Sequence, residues 1–63
     1  MSSILEIRAR LRNYRVRLSD MQADVRHHKQ LSPDSGKRIS DAIVEANNAV
    51  KAAIEQINQE LTT

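Results

Sequence analysis

Cysteine is absent from this chain of 63 residues, and proline, glycine and aromatic residues are almost absent. Without cysteine, neither a disulfide nor a cysteine-based zinc site can hold the fold together. One glycine, Gly36, and one proline, Pro33, supply too few turns for an all-β domain. Tyr14 is the single aromatic residue, so the core must be built from aliphatic side chains, which suit helix–helix packing. These absences predict an all-α protein.

A long apolar run and a signal-peptide pattern are also missing. We therefore expect a cytoplasmic protein with no membrane partner. The formal net charge is only +2, which by itself does not indicate binding to nucleic acid or to a membrane surface. Its distribution is uneven, because residues 1–31 carry a net charge of +4 and residues 32–63 a net charge of −2.

The first helix begins with a capping box, in which the Ser3 hydroxyl accepts from the Glu6 N–H and the Glu6 side chain reaches back. Apolar residues then recur at alternating steps of three and four, the pattern of a helix that packs along one narrow face. This apolar stripe comprises Ile4, Ile7, Leu11, Tyr14, Leu18, Met21 and Val25. We expect the stripe to face a partner helix, with Tyr14 in the core.

Pro33 separates the two helices, because it disfavours the helical conformation at Ser32. Helix 1 should therefore span about residues 3–30, followed by a turn at about residues 31–35. Ser32 suits the N-cap position and Pro33 the first helical position, which predicts a helix 2 of about residues 33–61.

A later start of helix 2, at Ser35 or Gly36, is the alternative, since Asp34 or Ser35 can also cap a helix. In either case the short connection predicts a single domain, residues 1–63, folded as an antiparallel two-helix hairpin.

Helix 2 repeats the alternation of three and four, and its apolar positions cover an arc of about 140°. One partner helix cannot cover so wide a face, and a chain this small needs additional burial. We therefore expect two hairpins to form a dimeric four-helix bundle, with a different protein partner, a filament or a stable monomer as alternatives. The candidate oligomer interface comprises Ala42, Ala46, Ala49, Val50, Ala53, Ile54, Ile57 and Leu61.

Four arginines of helix 1 lie in one sector beside the apolar stripe, and that sector contains no acidic residue. This arginine ridge comprises Arg8, Arg12, Arg15 and Arg26, and is about 27 Å long. Three interpretations stay open: solvated or intersubunit charges, contacts to an anionic protein, or contacts to the phosphates of structured RNA or duplex DNA. The lack of neighbouring aromatic residues argues against recognition of single strands.

Two smaller polar sets occur on helix 1. Asp20, Asp24 and His27 share a face of the helix. This spacing is a weak signal for a divalent cation site, and an ordinary solvated surface is the expected interpretation, so we predict no metal or cofactor. His28 takes the next slot of the stripe, where it either pairs with Asp24 as a pH sensor or lies exposed near the loop. No nucleophile lies beside a base in a cleft, so we predict no catalytic residue, no small-molecule substrate and no enzyme.

Two functional hypotheses follow from these features. The first is a protein-interaction module, such as an adaptor, inhibitor, chaperone or assembly factor, that acts as a dimer through helix–helix packing. The second is a regulatory bundle that binds RNA or DNA through the arginine ridge. The layout is similar to that of the plasmid copy-number protein, a dimerising hairpin that binds paired RNA loops, and to the two-helix chaperones and needle subunits of type III secretion. The resemblance is one of architecture, so no functional residue carries over from it.

Overall fold

The computed structural model describes residues 3–62, which form two helices joined by a short connection. Helix α1 spans Ile4–Arg26 and helix α2 spans Pro33–Thr62. The two helices pack against each other in a rod with extents of 46 × 18 × 15 Å. The prediction of an all-α protein with two packed helices is confirmed, and its assembly into a four-helix bundle stays a prediction.

The start of α1 shows the Ser3 half of the predicted capping box, since the Ser3 hydroxyl accepts a hydrogen bond from the Glu6 N–H at 3.2 Å. Its end differs from the prediction, because the helix stops at Arg26 instead of near residue 30. His27 is the C-cap residue, and its N–H donates to the carbonyl of Ala23. Beyond it, the His28 N–H donates to the carbonyl of Val25 and the Leu31 N–H to the carbonyl of His28, so turn-type bonds between residues three apart replace those of the helix.

The start of α2 matches the first of the two predicted alternatives. The Ser32 hydroxyl accepts from the Ser35 N–H at 3.2 Å, and the Ser32 carbonyl accepts from the Gly36 N–H at 2.9 Å. Ser32 is thus the N-cap, and Pro33 takes the first helical position, where its missing N–H is not needed.

The residues through which the helices face each other, called the seam below, are the least exposed positions of each helix. They follow the heptad alternation of three and four, but only about half of them are apolar. On α1 they are Arg8, Leu11, Arg15, Leu18, Gln22 and Val25, and on α2 Gly36, Ser40, Ile43, Asn47, Val50, Ile54, Ile57 and Asn58.

This seam corrects the predicted packing of the apolar stripe. Its members Leu11, Leu18 and Val25 do lie in the seam, whereas Tyr14 is 51% exposed and Met21 is 47% exposed. Ile4 and Ile7 are exposed as well. The expectation that Tyr14 lies in the core is therefore wrong. The other α1 positions of the seam are polar, and two of them, Arg8 and Arg15, hydrogen bond across the helix pair.

The core of a single hairpin is thin. Ile54 is the one buried hydrophobic residue within residues 3–62, at 7% exposure, and Ser40 is buried at 3%. The helices come close near the turn, where a Cβ added to Gly36 would lie 3.7 Å from the carbonyl oxygen of Val25. Small residues at this end allow the approach, but they bury little apolar surface.

Candidate interaction surfaces

Two arginine–amide hydrogen bonds connect the helices across the seam. Arg8 Nη1 donates to Asn58 Oδ1 at 2.7 Å, and Arg15 Nε donates to Asn47 Oδ1 at 2.8 Å. The Asn47 amide nitrogen donates in turn to the Ser19 hydroxyl at 3.2 Å. Amide oxygens carry no formal charge, so these bonds orient the two half-buried guanidinium groups without neutralising them.

The close approach of Gly36 to the backbone carbonyl of Val25 sets the register of the antiparallel helices. Each residue toward the N-terminus of α1 is matched by one residue toward the C-terminus of α2, at about 1.5 Å per residue. Counting from this pair, Arg17 comes within one residue of the level of Glu45, and Asp24 within one residue of the level of Arg38. The Arg15–Asn47 bond agrees with this register to within one residue.

The two sides of the seam differ in chemistry. Ser19 and Asn58 reach into the seam from one side. Helix periodicity places an exposed, almost uniformly apolar surface on the other side, running along both helices. This apolar flank comprises Ile7, Tyr14 and Met21 of α1 with Ile39, Ala42, Ala46, Ala49 and Ala53 of α2, all of them exposed.

The side that carries Ser19 and Asn58 is cationic. By the same periodicity it presents Arg12 and Arg26 of α1 and Lys37 and Lys51 of α2, all exposed. We call these four residues the basic flank. The next row outward on α2 holds Asp34, Asp41, Asn48 and Glu55, so carboxylates border the cations on that helix.

The predicted arginine ridge is divided between these surfaces. Arg8 and Arg15 belong to the seam, where amide groups of α2 engage them. Arg12 and Arg26 are exposed on the basic flank. The four arginines therefore do not form one continuous, solvent-facing row in the hairpin.

The predicted oligomer interface is divided as well. Ala42, Ala46, Ala49 and Ala53 lie on the apolar flank, and Leu61 is exposed near the end of α2. Val50, Ile54 and Ile57 belong to the seam, where α1 already covers much of their surface. Within one hairpin, the alanine row is the part of the candidate set that is open to a partner.

The polar sets near the end of α1 do not form a site. Among residues 3–62, no three His, Asp or Glu side chains lie close enough together to hold a metal ion, so Asp20, Asp24 and His27 are not brought together. His28 lies beyond the helix, exposed, where its Nδ1 accepts from the Gln30 N–H at 3.2 Å. It therefore occupies the turn and not a slot of the seam.

Sequence reasoning missed Lys37 and Lys51 as neighbours of the helix 1 arginines, and Asn58 as the partner of Arg8. A second heptad series on α2, which begins with the small residues Gly36 and Ser40, was the available signal for the true seam. Small residues at regular helical spacing mark the places where another helix can approach closely.

In the described part of the chain, neither helix combines the length and apolarity needed to cross a bilayer. Comparisons of this chain with protein-family models, with curated proteins and with solved structures found no significant match.

Proposed function

We propose that this chain is a small, non-enzymatic protein-interaction module, of the adaptor, inhibitor, chaperone or assembly-factor kind, which acts as a dimer through helix–helix packing. The observation that carries the proposal is the apolar flank. Four of the nine exposed large hydrophobic residues in the described part of the chain lie there, namely Ile7, Tyr14, Met21 and Ile39. Four alanines extend the same surface along α2.

The shape of this surface suits a helix better than a small ligand. It is long, nearly flat and built from heptad-spaced residues of two antiparallel helices, the pattern that accepts further helices side by side. A contiguous exposed apolar surface of this kind is typical of a protein–protein contact. The thin seam strengthens the proposal, because Ile54 alone contributes little burial for a domain of this size.

Binding of structured RNA or duplex DNA is the second candidate, and the basic flank is the observation in its favour. Arg12 and Arg26 lie about 21 Å apart on α1, with Lys37 and Lys51 beside them on α2. It is the weaker candidate because Arg8 and Arg15 are engaged in the seam and because Asp41 and Glu55 border the cations. Phosphate binding would show a steep loss of affinity with added salt.

Sedimentation equilibrium with circular dichroism over a dilution series tests the first proposal. We expect a helical dimer that loses mass and helicity together as it is diluted, because dissociation exposes the apolar flank. A monomer that stays fully folded at every concentration would contradict the proposal. A titration with duplex DNA and hairpin RNA at low salt tests the second candidate, and unchanged fluorescence anisotropy would remove it.

A further inference from the structure

We propose that the apolar flank is covered by a second copy of this chain, related by a two-fold axis parallel to the helices. In this arrangement α1 of each copy lies on α2 of the other, and every helix is antiparallel to its neighbours. The inference rests on the proposed function and names the partner and the geometry of its contact.

The first argument is the shape of the flank. Its large side chains, Ile7, Tyr14 and Met21, lie on α1, whereas α2 contributes mainly alanines. A parallel two-fold axis preserves the level of each residue, so Tyr14 of one copy lies between Ala46, Ala49 and Ala53 of the other. Tyr14 thus meets small residues, and Met21 lies near Ala42 and Ile39 of the other copy, so the contact is apolar on both sides and the bulkiest side chain faces the alanine row.

The second argument is charge. The outer edge of the flank carries Arg17 and Asp24 on α1, and Glu45 and Arg38 lie further out on α2. When α1 of one copy lies on α2 of the other, the register brings Arg17 level with Glu45 of the second copy. It also brings Asp24 level with Arg38 of the second copy. Both pairs have opposite charges, and the two-fold axis repeats each of them, so the surface is complementary to itself.

Other ways of pairing two copies lack this complementarity. A two-fold axis perpendicular to the helices would place α1 of one copy against α1 of the other. Tyr14 would then meet bulky residues, and the row formed by Arg10 and Arg17 would face the same row of the second copy. Pairing through the basic flank would bring together the four cations of each copy, and like charges at such a contact are unfavourable. The apolar flank is the surface on which burial and charge agree.

The exposed area is also of the right size. The hairpin has 5166 Å² of solvent-accessible surface, against about 4,100 Å² for a compact monomer of its mass. A standard stable interface removes about 800 Å² from each partner, so one contact of that size would bring the surface of each chain close to that of a compact monomer.

Thiol cross-linking tests the geometry, because the natural chain has no cysteine to interfere. Arg17→Cys and Ala49→Cys chains are prepared separately, mixed, allowed to exchange and treated with a short thiol cross-linker. In the proposed dimer, Arg17 of one copy and Ala49 of the other lie about one helical turn apart on facing rows, so the mixture should give a covalent heterodimer. Arg17→Cys alone should not cross-link, because the two α1 helices are not neighbours in this arrangement. Asn48→Cys is the matched control, since Asn48 is adjacent to Ala49 but lies on the basic side of α2.

The outcomes separate the inference from the function on which it rests. Cross-linking in the Arg17→Cys and Ala49→Cys mixture alone supports the arrangement. A dimer that cross-links through Arg17→Cys alone, or equally well through Asn48→Cys, overturns the arrangement and leaves the interaction module standing. A chain that sediments as a folded monomer and gives no cross-link at any concentration overturns both.

Discussion

Adjacent residues of α1 belong to two surfaces of opposite character. Ile7 and Tyr14 lie on the exposed apolar flank, while the residues that follow them, Arg8 and Arg15, lie in the seam and bond to amides of α2. A self-sufficient monomer would show the reverse, with its apolar row inside. The comparison indicates that the seam sets the register of the two helices but buries little, and we propose that the flank supplies the further burial that a stable fold of this size requires.

The largest expected effect comes from a charge placed on the flank. Ala49→Lys should weaken the dimer by about 3 kcal/mol or more, because the ammonium group would be desolvated against the second copy on the side that carries Arg17, with no carboxylate to pair with it. Sedimentation equilibrium measures the dissociation constant directly. Ala52→Lys is the matched control, since Ala52 is also an exposed alanine of α2 but faces away from the flank, and it should change the constant by less than about 0.5 kcal/mol. Equal effects of the two variants would place the interface elsewhere.

Truncating the one buried aliphatic residue of the seam should have the next largest effect. Ile54→Ala should lower the free energy of unfolding by about 2–3 kcal/mol, because it removes buried methyl groups and leaves a cavity between the helices. Val16→Ala is the control, since Val16 is 61% exposed and should contribute less than about 0.5 kcal/mol. Urea unfolding at one fixed protein concentration measures both. A similar loss in Val16→Ala would show that another chain covers that side of α1.

The caps, the helices and the position of the turn could be predicted because local chemistry determines them. Ser3 and Ser32 accept hydrogen bonds from N–H groups three residues ahead, and Pro33 fixes where α2 begins. These features depend on spacings of a few residues, which a single sequence displays directly. The end of α1 was harder to place, because it depends on the room needed to reverse the chain.

The seam could not be predicted from hydrophobic periodicity, because α1 carries two overlapping heptad series that share Leu11, Leu18 and Val25. The outer series adds the apolar residues of the flank, and the inner series adds the polar residues that follow them by one position. The outer series is therefore the more apolar one, although the inner series forms the seam. Selecting the inner series requires the bonds from Arg15 to Asn47 and from Arg8 to Asn58, which span 32 and 50 residues of chain. Local patterns do not encode such distant polar partners. The stripe found in the sequence is therefore divided: Leu11, Leu18 and Val25 lie in the seam, and Ile7, Tyr14 and Met21 lie on the surface that we assign to the second copy.

A smaller effect should follow from breaking the amide network of the seam. Asn47→Ala removes the acceptor of Arg15 and the donor to Ser19, so we expect unfolding to become easier by about 1–2 kcal/mol. Asn48→Ala is the matched control, because Asn48 is exposed and lies outside the seam. Urea midpoints of the two variants give the comparison. If both variants unfold at the same urea concentration as the parent, water replaces the amide and the seam bonds do not stabilise the hairpin.

The smallest expected effect concerns the charge pairs at the edge of the flank. Glu45→Arg should weaken the dimer by about 1 kcal/mol, because each of two symmetry-related contacts with Arg17 changes from attraction to repulsion. Combining Glu45→Arg with Arg17→Glu should restore most of the affinity, which isolates the pairwise interaction from effects on either helix alone. Arg12→Glu with Glu45→Arg is the control, since Arg12 lies on the basic flank and should give no restoration.

Salt separates this charge effect from a change in packing. At about 1 M ionic strength the screening length falls to about 3 Å, so the difference between Glu45→Arg and the parent should largely disappear. If the single variant stays weak at high salt, or if Arg17→Glu fails to restore it, then Glu45 does not lie opposite Arg17 of the second copy. In that case the charge argument for the parallel two-fold axis is lost, and the arrangement depends on the shape of the apolar flank and on the cross-links.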